Sequence, residues 1–117
     1  MQVFWIAIAG ALGVVARYGI NSCASAWGLQ IPYATVLINV MGSFLIGLLW
    51  AASQKSLPFA QLDKVLMVGF LGGFTTFSAY SLEGLQLWQQ NTLGGALYWV
   101  GTPILSIAAV YLGVSLI

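Results

Sequence analysis

Four long apolar segments, almost free of charge, decide what this chain can fold into. They cover residues 3–20, 34–53, 65–88 and 95–117. Each is about as long as the ~20 apolar residues that a helix needs to cross the hydrocarbon core of a bilayer. The only charged residues inside them are Arg17 and Glu83, each near the end of its segment. We therefore predict an all-α membrane protein with four transmembrane helices, forming one transmembrane domain over residues 1–117.

The composition excludes most other classes of protein. Only 4% of the residues are charged and 61% are hydrophobic, whereas a soluble domain carries roughly 25% charged residues. A net charge of +1 gives no basic surface for nucleic acid, so we expect no nucleic-acid partner. The chain has no His and one Cys, Cys23, which excludes a disulfide within the chain and a His/Cys zinc site. Nothing brings Asp63 and Glu83 together as a catalytic pair, so we expect no enzyme.

The orientation of the chain in the membrane is weakly specified. Basic residues normally mark the cytoplasmic ends of transmembrane helices. Lys55 and Lys64 lie on the side of the N-terminus, and Arg17 lies on the other side. A difference of one basic residue leaves two interpretations open. Either the N-terminus faces the cytoplasm, or both orientations are inserted and pair as an antiparallel, dual-topology homodimer.

Two predicted spans carry polar residues at every fourth position, which places each set on one helix face. The two sets are Thr35, Asn39 and Ser43 in the second span, and Tyr98, Thr102 and Ser106 in the fourth. Such residues either bond across packed helices or line a hydrated or ion-conducting path. The presence of two aligned stripes in so small a chain favours the path.

The third span contains a sequence that weakens a helix. Two glycines, Gly72 and Gly73, are followed by Thr75, Thr76 and Ser78, and all of these residue types are poor helix formers. A broken helix at membrane depth persists only where it lines a cavity or binds an ion. We predict a break here, the alternative being a continuous helix whose glycines allow close packing.

The same residues resemble a known family. The run from Gly72 to Ser78, followed by Glu83, is similar to the signature of the Fluc (CrcB) fluoride channels. The other spans agree in order and spacing. They contain Gly10-Ala11-Leu12-Gly13, Arg17-Tyr18, Pro32, Thr35, Asn39, Gly42-Ser43-Phe44 and Gly47, and the fourth-span stripe Tyr98, Thr102 and Ser106.

The resemblance implies a fluoride-selective channel. It would form an antiparallel homodimer with two pores in the bacterial plasma (inner) membrane, as a multi-pass protein in the lipid bilayer. It would export cytoplasmic fluoride by passive permeation and so lower fluoride toxicity. The resemblance also implies a structural Na⁺ at the centre of the dimer, bound by the backbone carbonyls of Gly72 and Thr75.

The resemblance further implies roles for individual side chains. The fluoride pore would be lined by Asn39, Phe77, Tyr80, Ser81, Tyr98, Thr102 and Ser106, with Arg17 and Glu83 in the aqueous vestibules. Phe77 and Tyr80 share a helix face, and the positively polarised edges of their rings are suited to an anion. The chain departs from the family at Tyr80, where Phe is usual, and at Val110, where the polar stripe usually continues. We expect the Tyr80 hydroxyl to bond a polar residue of a neighbouring helix.

Two other classes of protein fit the sequence less well. A small multidrug transporter also has four spans and dual topology, but its proton coupling needs an acidic residue in the middle of the first span, and this span has none. An inactive packing subunit would need neither the two polar stripes nor the glycine-rich third span.

Overall fold

The computed structural model describes residues 2–55 and 62–117, and these residues are almost entirely helical. Helix α1 covers Gln2–Ala26 and α2 covers Ile31–Gln54. The third span begins as a π-helix over Val65–Leu71, continues as the single turn α3 over Gly72–Phe74, and resumes as α4 over Ser78–Gln90. Helix α5 covers Thr92–Ser115. The predicted loop residue Pro58 lies outside the described residues.

Local sequence signals explain where the helices begin and turn. Gly28, with φ of 81°, forms the turn after α1, a conformation that costs glycine little because it has no Cβ. Pro32 lies in the first turn of α2, where a missing N–H has no helical partner to lose. The Asn91 side chain caps α5 by accepting from the backbone N–H groups of Leu93 and Gly94.

The helices form two packed layers, which meet at the third span. Helix α1 packs on the π-helix and α3, whereas α2 and α4 pack on α5. The backbones of α1 and α3 lie so close together that a Cβ on Gly73 would collide with the carbonyl of Gly10. Ile38, Leu71 and Phe74 form the small buried core between these layers.

The outer surface is apolar. The helix-length segments Gln2–Ala26, Pro32–Gln54, Val65–Gln90 and Thr92–Ser115 are each long and apolar enough to cross a membrane. No more than 33% of the residues in any of their most apolar windows are buried within the chain. A soluble protein does not expose so much apolar surface, so the prediction of an all-helical protein with four membrane-suited segments is confirmed.

The helix ends differ from the predicted spans, most clearly in α1. This helix continues to Ala26 instead of ending near residue 20, because polar side chains such as Asn21 and Ser22 end an apolar run without ending a helix. Arg17 consequently lies nine residues before the end of α1, about 14 Å along its axis.

Helical structure is interrupted at residues 75–77 of the third span. Thr75 has an extended backbone with φ of −85° and ψ of 160°, and α4 starts at Ser78. We call residues 75–77 the interruption. An interruption frees backbone N–H and C=O groups, and within a membrane-spanning segment these groups need partners inside the protein.

Candidate functional site

A groove lined by both polar and apolar residues lies beside the interruption. It has a volume of about 340 Å³ and is bordered by α2, the third span and α5. It brings together seven of the predicted site residues, namely Asn39, Gly72, Thr75, Phe77, Tyr80, Thr102 and Ser106. Four others, Arg17, Ser81, Glu83 and Tyr98, are not among the residues that line it. Val110, the departure from the polar stripe, does not line it either.

Asn39 bonds the backbone of the interruption at two points. Its Nδ2 donates to the carbonyl oxygen of Thr76 at 3.1 Å, and its Oδ1 accepts from the N–H of Thr76 at 2.9 Å. The Asn39 amide therefore replaces the two backbone hydrogen bonds, one to the N–H and one to the carbonyl, that Thr76 would make in a regular helix. Sequence reasoning assigned Asn39 to the pore as a donor, and the structure gives its side chain a second task, which is to hold the interruption in place.

Two carbonyls next to the groove lose their usual helical donors. In a continuous helix, Gly72 would accept from the N–H of Thr76, and Thr75 would accept from the N–H of Ala79. The first N–H donates to Asn39, and the second donates to Oγ1 of Thr76 at 3.2 Å. Within residues 2–55 and 62–117, no hydrogen bond is directed to the carbonyl oxygen of Gly72 or Thr75.

Arg17, which the resemblance assigns to a vestibule, contacts the interrupted span, and the vestibule assignment remains a prediction. Its Nε donates to the carbonyl oxygen of Gly73 at 3.3 Å, a group that would have accepted from the N–H of Phe77 in a continuous helix. Arg17 lies well inside α1, which packs on α3. The guanidinium thus stabilises a freed backbone group.

Three aromatic rings follow one another along the groove and beyond it. The ring centroids of Phe77 and Tyr80 are 5.5 Å apart, and those of Tyr80 and Tyr98 are 5.2 Å apart. Phe77 is 77% exposed, whereas Tyr80 and Tyr98 are buried. The hydroxyl of Tyr80 donates to the backbone carbonyl of Trp99 in α5. The expected polar side-chain partner is therefore replaced by a main-chain oxygen.

Two further cavities lie near the groove. Thr102 lines both the groove and a side pocket that also contains Tyr98 and Gln30. The hydroxyl of Tyr98 donates to Oε1 of Glu83 at 3.1 Å. Glu83 in turn lines a third cavity, whose polar residues are Gln30, Glu83, Gln86 and Gln90. Polar groups therefore extend from the interruption to the end of α4.

Ser81 is separated from these cavities. Its hydroxyl donates to the carbonyl of Phe77 at 2.9 Å, one helical turn earlier, which is a common local bond for serine in a helix. Its assignment to the pore remains a prediction.

Sequence reasoning missed several residues of the site. Ser43 was placed on the α2 stripe but not in the site, and it lines the groove. Gln86 and Gln90 follow Glu83 at positions three and seven, the spacing of one helix face, and this pattern offered a signal. Pro103, which also lines the groove, was visible as a proline inside an apolar run. The contacts that Pro103 makes depend on how α5 packs against the other helices, which the sequence does not indicate.

Comparisons with known proteins show the family of this chain. The profile of the family described as "CrcB-like protein, Camphor Resistance (CrcB)" matches residues 4–114. The protein named Fluoride-specific ion channel FluC of Magnetococcus marinus is 40% identical, over 97% of this chain and 94% of its own length. That of Saccharophagus degradans is 41% identical, over 97% and 89%. Fluoride-specific ion channel FluC 2 of Cutibacterium acnes is 41% identical, over 99% and 97%.

The match extends over nearly the full length of both partners, so it includes every helix and every residue of the groove. The resemblance found in the third-span motif is confirmed. The chain belongs to the CrcB family.

Proposed function

We propose that this protein is a fluoride-selective ion channel, and not an enzyme, that lets cytoplasmic fluoride leave the cell by passive permeation. The observation that carries the proposal is the groove. It gathers an amide, hydroxyls and two aromatic rings beside an interrupted helix, in a chain whose similar proteins are named fluoride-specific ion channels.

The lining of the groove suits a small, strongly hydrated anion. Hydroxyls of Ser43, Thr102 and Ser106 rotate to donate, and the Asn39 amide retains one N–H beyond the one given to Thr76. Ring edges of Phe77 and Tyr80 add weak positive potential. No Lys or Arg is among the lining residues that the structure describes. This favours conduction, because a site must bind an ion weakly enough to release it.

The groove and the side pocket share Thr102, and the side pocket and the glutamine-lined cavity share Gln30, which supports a route from the groove towards the end of α4. An ion leaving Thr102 would meet the side pocket and then the glutamine-lined cavity. Glu83 borders that cavity while accepting a hydrogen bond from Tyr98. We assign Glu83 to a vestibule, where water screens its charge, and Tyr98 to the inner end of the route.

An antiparallel homodimer with two pores would complete the path. A single chain does not enclose the groove, and Phe77 on its border is 77% exposed. Polar surface is costly to leave against lipid, so a second copy is a suitable cover. The near balance of Lys55 and Lys64 against Arg17 permits both orientations.

Biased topology tests the dimer. Adding basic residues to the loops on one side should fix one orientation and abolish transport, and co-expression of the oppositely biased variant should restore it. Normal transport by a single fixed orientation contradicts the antiparallel arrangement.

A Na⁺ ion at the dimer centre fits the backbone of the third span. The carbonyl oxygens of Gly72 and Thr75 have lost their helical donors and accept no hydrogen bond within the described residues. Carbonyls freed by an unwound membrane helix are suitable ligands for Na⁺. The bound ion would supply positive charge without a basic side chain in the path. A crystal structure should contain a cation bound by these oxygens from both subunits, and its absence at high Na⁺ contradicts the assignment.

Growth in fluoride tests the function in cells. Fluoride enters bacteria as the neutral weak acid and ionises inside, so a passive channel for the anion drains it outward. A strain without its own fluoride exporter should regain growth when this chain is produced in its inner membrane. An equal amount of the Asn39→Leu variant in the membrane is the matched control and should not protect. Equal growth with both proteins, or with neither, contradicts the proposal.

A further inference from the structure

Pro103 leaves a gap in the hydrogen bonding of α5. It lies inside this helix and has no N–H, so it cannot make the bond that residue 103 would donate to the carbonyl of Trp99, four residues earlier. The proline ring also crowds that carbonyl. Within a membrane-spanning helix no water reaches the core to replace the lost donor. The carbonyl therefore needs a partner from the protein.

The hydroxyl of Tyr80 is that partner. It comes from α4 and donates to the same Trp99 carbonyl oxygen. Tyr80 is only 7% exposed, so this bond forms away from the outer surface. Both Tyr80 and Pro103 line the groove. A phenylalanine at position 80 would leave the Trp99 carbonyl without a donor.

Trp99, which supplies the acceptor of this bond, is itself held firmly by its side chain. The indole of Trp99 packs over Gly84, where an added Cβ would collide with its Nε1. It also stacks on Trp88, with ring centroids 5.8 Å apart and an interplanar angle of 27°. Because its side chain is fixed against α4 in this way, Trp99 offers its carbonyl at a defined place.

We propose that Tyr80 and Pro103 act as a coupled pair that positions an aromatic ring in the groove. Pro103 frees the Trp99 carbonyl, and the hydroxyl of Tyr80 binds it. This bond fixes the ring of Tyr80 between those of Phe77 and Tyr98. Tyr80 is thus a positioning residue as well as a lining residue. The bonding claim stands on the fold alone, while the consequence for ion flux rests on the proposed channel function.

A double-mutant cycle measured by thermal unfolding in detergent tests the bond. Tyr80→Phe should lower the Tm by about 4 °C or more, because a buried carbonyl loses its donor. Pro103→Ala restores a helical N–H, so Tyr80→Phe added to Pro103→Ala should lower the Tm much less. Equal losses in the two backgrounds overturn the proposal. If Tyr80→Phe alone does not fold, recovery of folded protein by Pro103→Ala supports the pair, and failure of both variants contradicts it.

Two control variants separate the pair from general effects. Pro32→Ala restores an N–H in the first turn of α2, where no helical carbonyl has lost its donor, and it should not alter the effect of Tyr80→Phe. Tyr111→Phe removes a hydroxyl that makes no hydrogen bond within the described residues and whose side chain is largely exposed. It should leave the Tm nearly unchanged. A rescue by Pro32→Ala equal to that by Pro103→Ala overturns the proposal.

Fluoride flux from proteoliposomes tests the positioning of the ring. Either single change releases the ring, so Tyr80→Phe, Pro103→Ala and the double variant should share one flux, a few fold below that of the wild type. The Tm of the double variant should be higher than that of Tyr80→Phe, whereas its flux should stay at the level of the two single variants. Flux that follows the Tm through the cycle overturns the positioning role. If the wild-type protein conducts no fluoride, the proposed function fails, and the unfolding cycle still decides the bond.

Discussion

The polar stripes of α2 and α5 have the same spacing and different tasks. Asn39, in the middle of the α2 stripe, gives its amide to both backbone groups of Thr76. Thr102 and Ser106 on α5 border the groove, and neither side chain makes a hydrogen bond within residues 2–55 and 62–117. Spacing by four therefore identifies a common face but not what that face does.

The difference lies in what each stripe faces. Helix α2 presents Asn39 to the interruption, where freed backbone groups need partners. Helix α5 presents the hydroxyls of Thr102 and Ser106 to the groove. Asn39 of the α2 stripe supports the backbone of the third span, whereas Thr102 and Ser106 of the α5 stripe leave donors available to an ion. Variants of the two stripes should therefore separate stability from flux.

The largest effect is expected for Asn39→Leu. This change leaves the N–H and carbonyl of Thr76 without partners, at a cost of about 1–3 kcal/mol for each buried group. Both the Tm in detergent and the fluoride flux should fall, the flux at least ~10-fold, which corresponds to about 1.4 kcal/mol in the barrier. Thermal unfolding and electrode-detected efflux measure the two quantities on the same preparation.

Ser43→Ala is the matched control on the same stripe. Its hydroxyl borders the groove and makes no hydrogen bond within the described residues, so the Tm should change little. A normal flux for Asn39→Leu would show that Asn39 serves only in helix packing and takes no part in the pore.

The aromatic rings come next in expected effect. Tyr80→Ile and Phe77→Ile remove polarised ring edges from the groove, and each should lower fluoride flux by roughly 10-fold. Tyr80→Phe keeps the ring and should lower the flux only a few fold, with chloride still excluded. Equal flux for Tyr80→Phe and Tyr80→Ile would show that the ring only fills space.

The smallest effects are expected on α5. Thr102→Val and Ser106→Ala each remove one hydroxyl from the groove without breaking a hydrogen bond within the described chain. Fluoride flux should fall a few fold in each, while the Tm stays nearly constant. Thr92→Val, at the exposed start of α5, is the control and should leave both unchanged. A clear fall in Tm with unchanged flux would give the α5 stripe the supporting role instead.

The sequence predicted the four helices well because a long apolar run is a direct physical requirement for crossing a bilayer. Helix ends were predicted less well, since polar residues after residue 20 continue α1 without a break. The sequence also did not indicate the bond from Arg17 to the carbonyl of Gly73, which joins two helices.

The residues of the site were easier to predict than their partners. Local pattern and family resemblance indicated Asn39, Phe77, Tyr80 and Thr102, and all of them border the groove. The bond from Tyr80 to Trp99 and the pairing of Asn39 with Thr76 join residues of different helices. Such contacts depend on how the helices pack, and no periodicity within one helix records them.

The most direct test of the account is ion efflux from liposomes that contain the purified protein. Liposomes loaded with equal concentrations of potassium fluoride and potassium chloride are diluted into medium free of both anions. Valinomycin is then added, so that K⁺ can leave and balance the charge of the leaving anions. Ion-selective electrodes follow the efflux of each anion. We predict rapid loss of fluoride with chloride retained, and little loss of either ion with Asn39→Leu. Equal release of the two anions, or retention of both by the wild-type protein, contradicts the assignment of this chain as a fluoride channel.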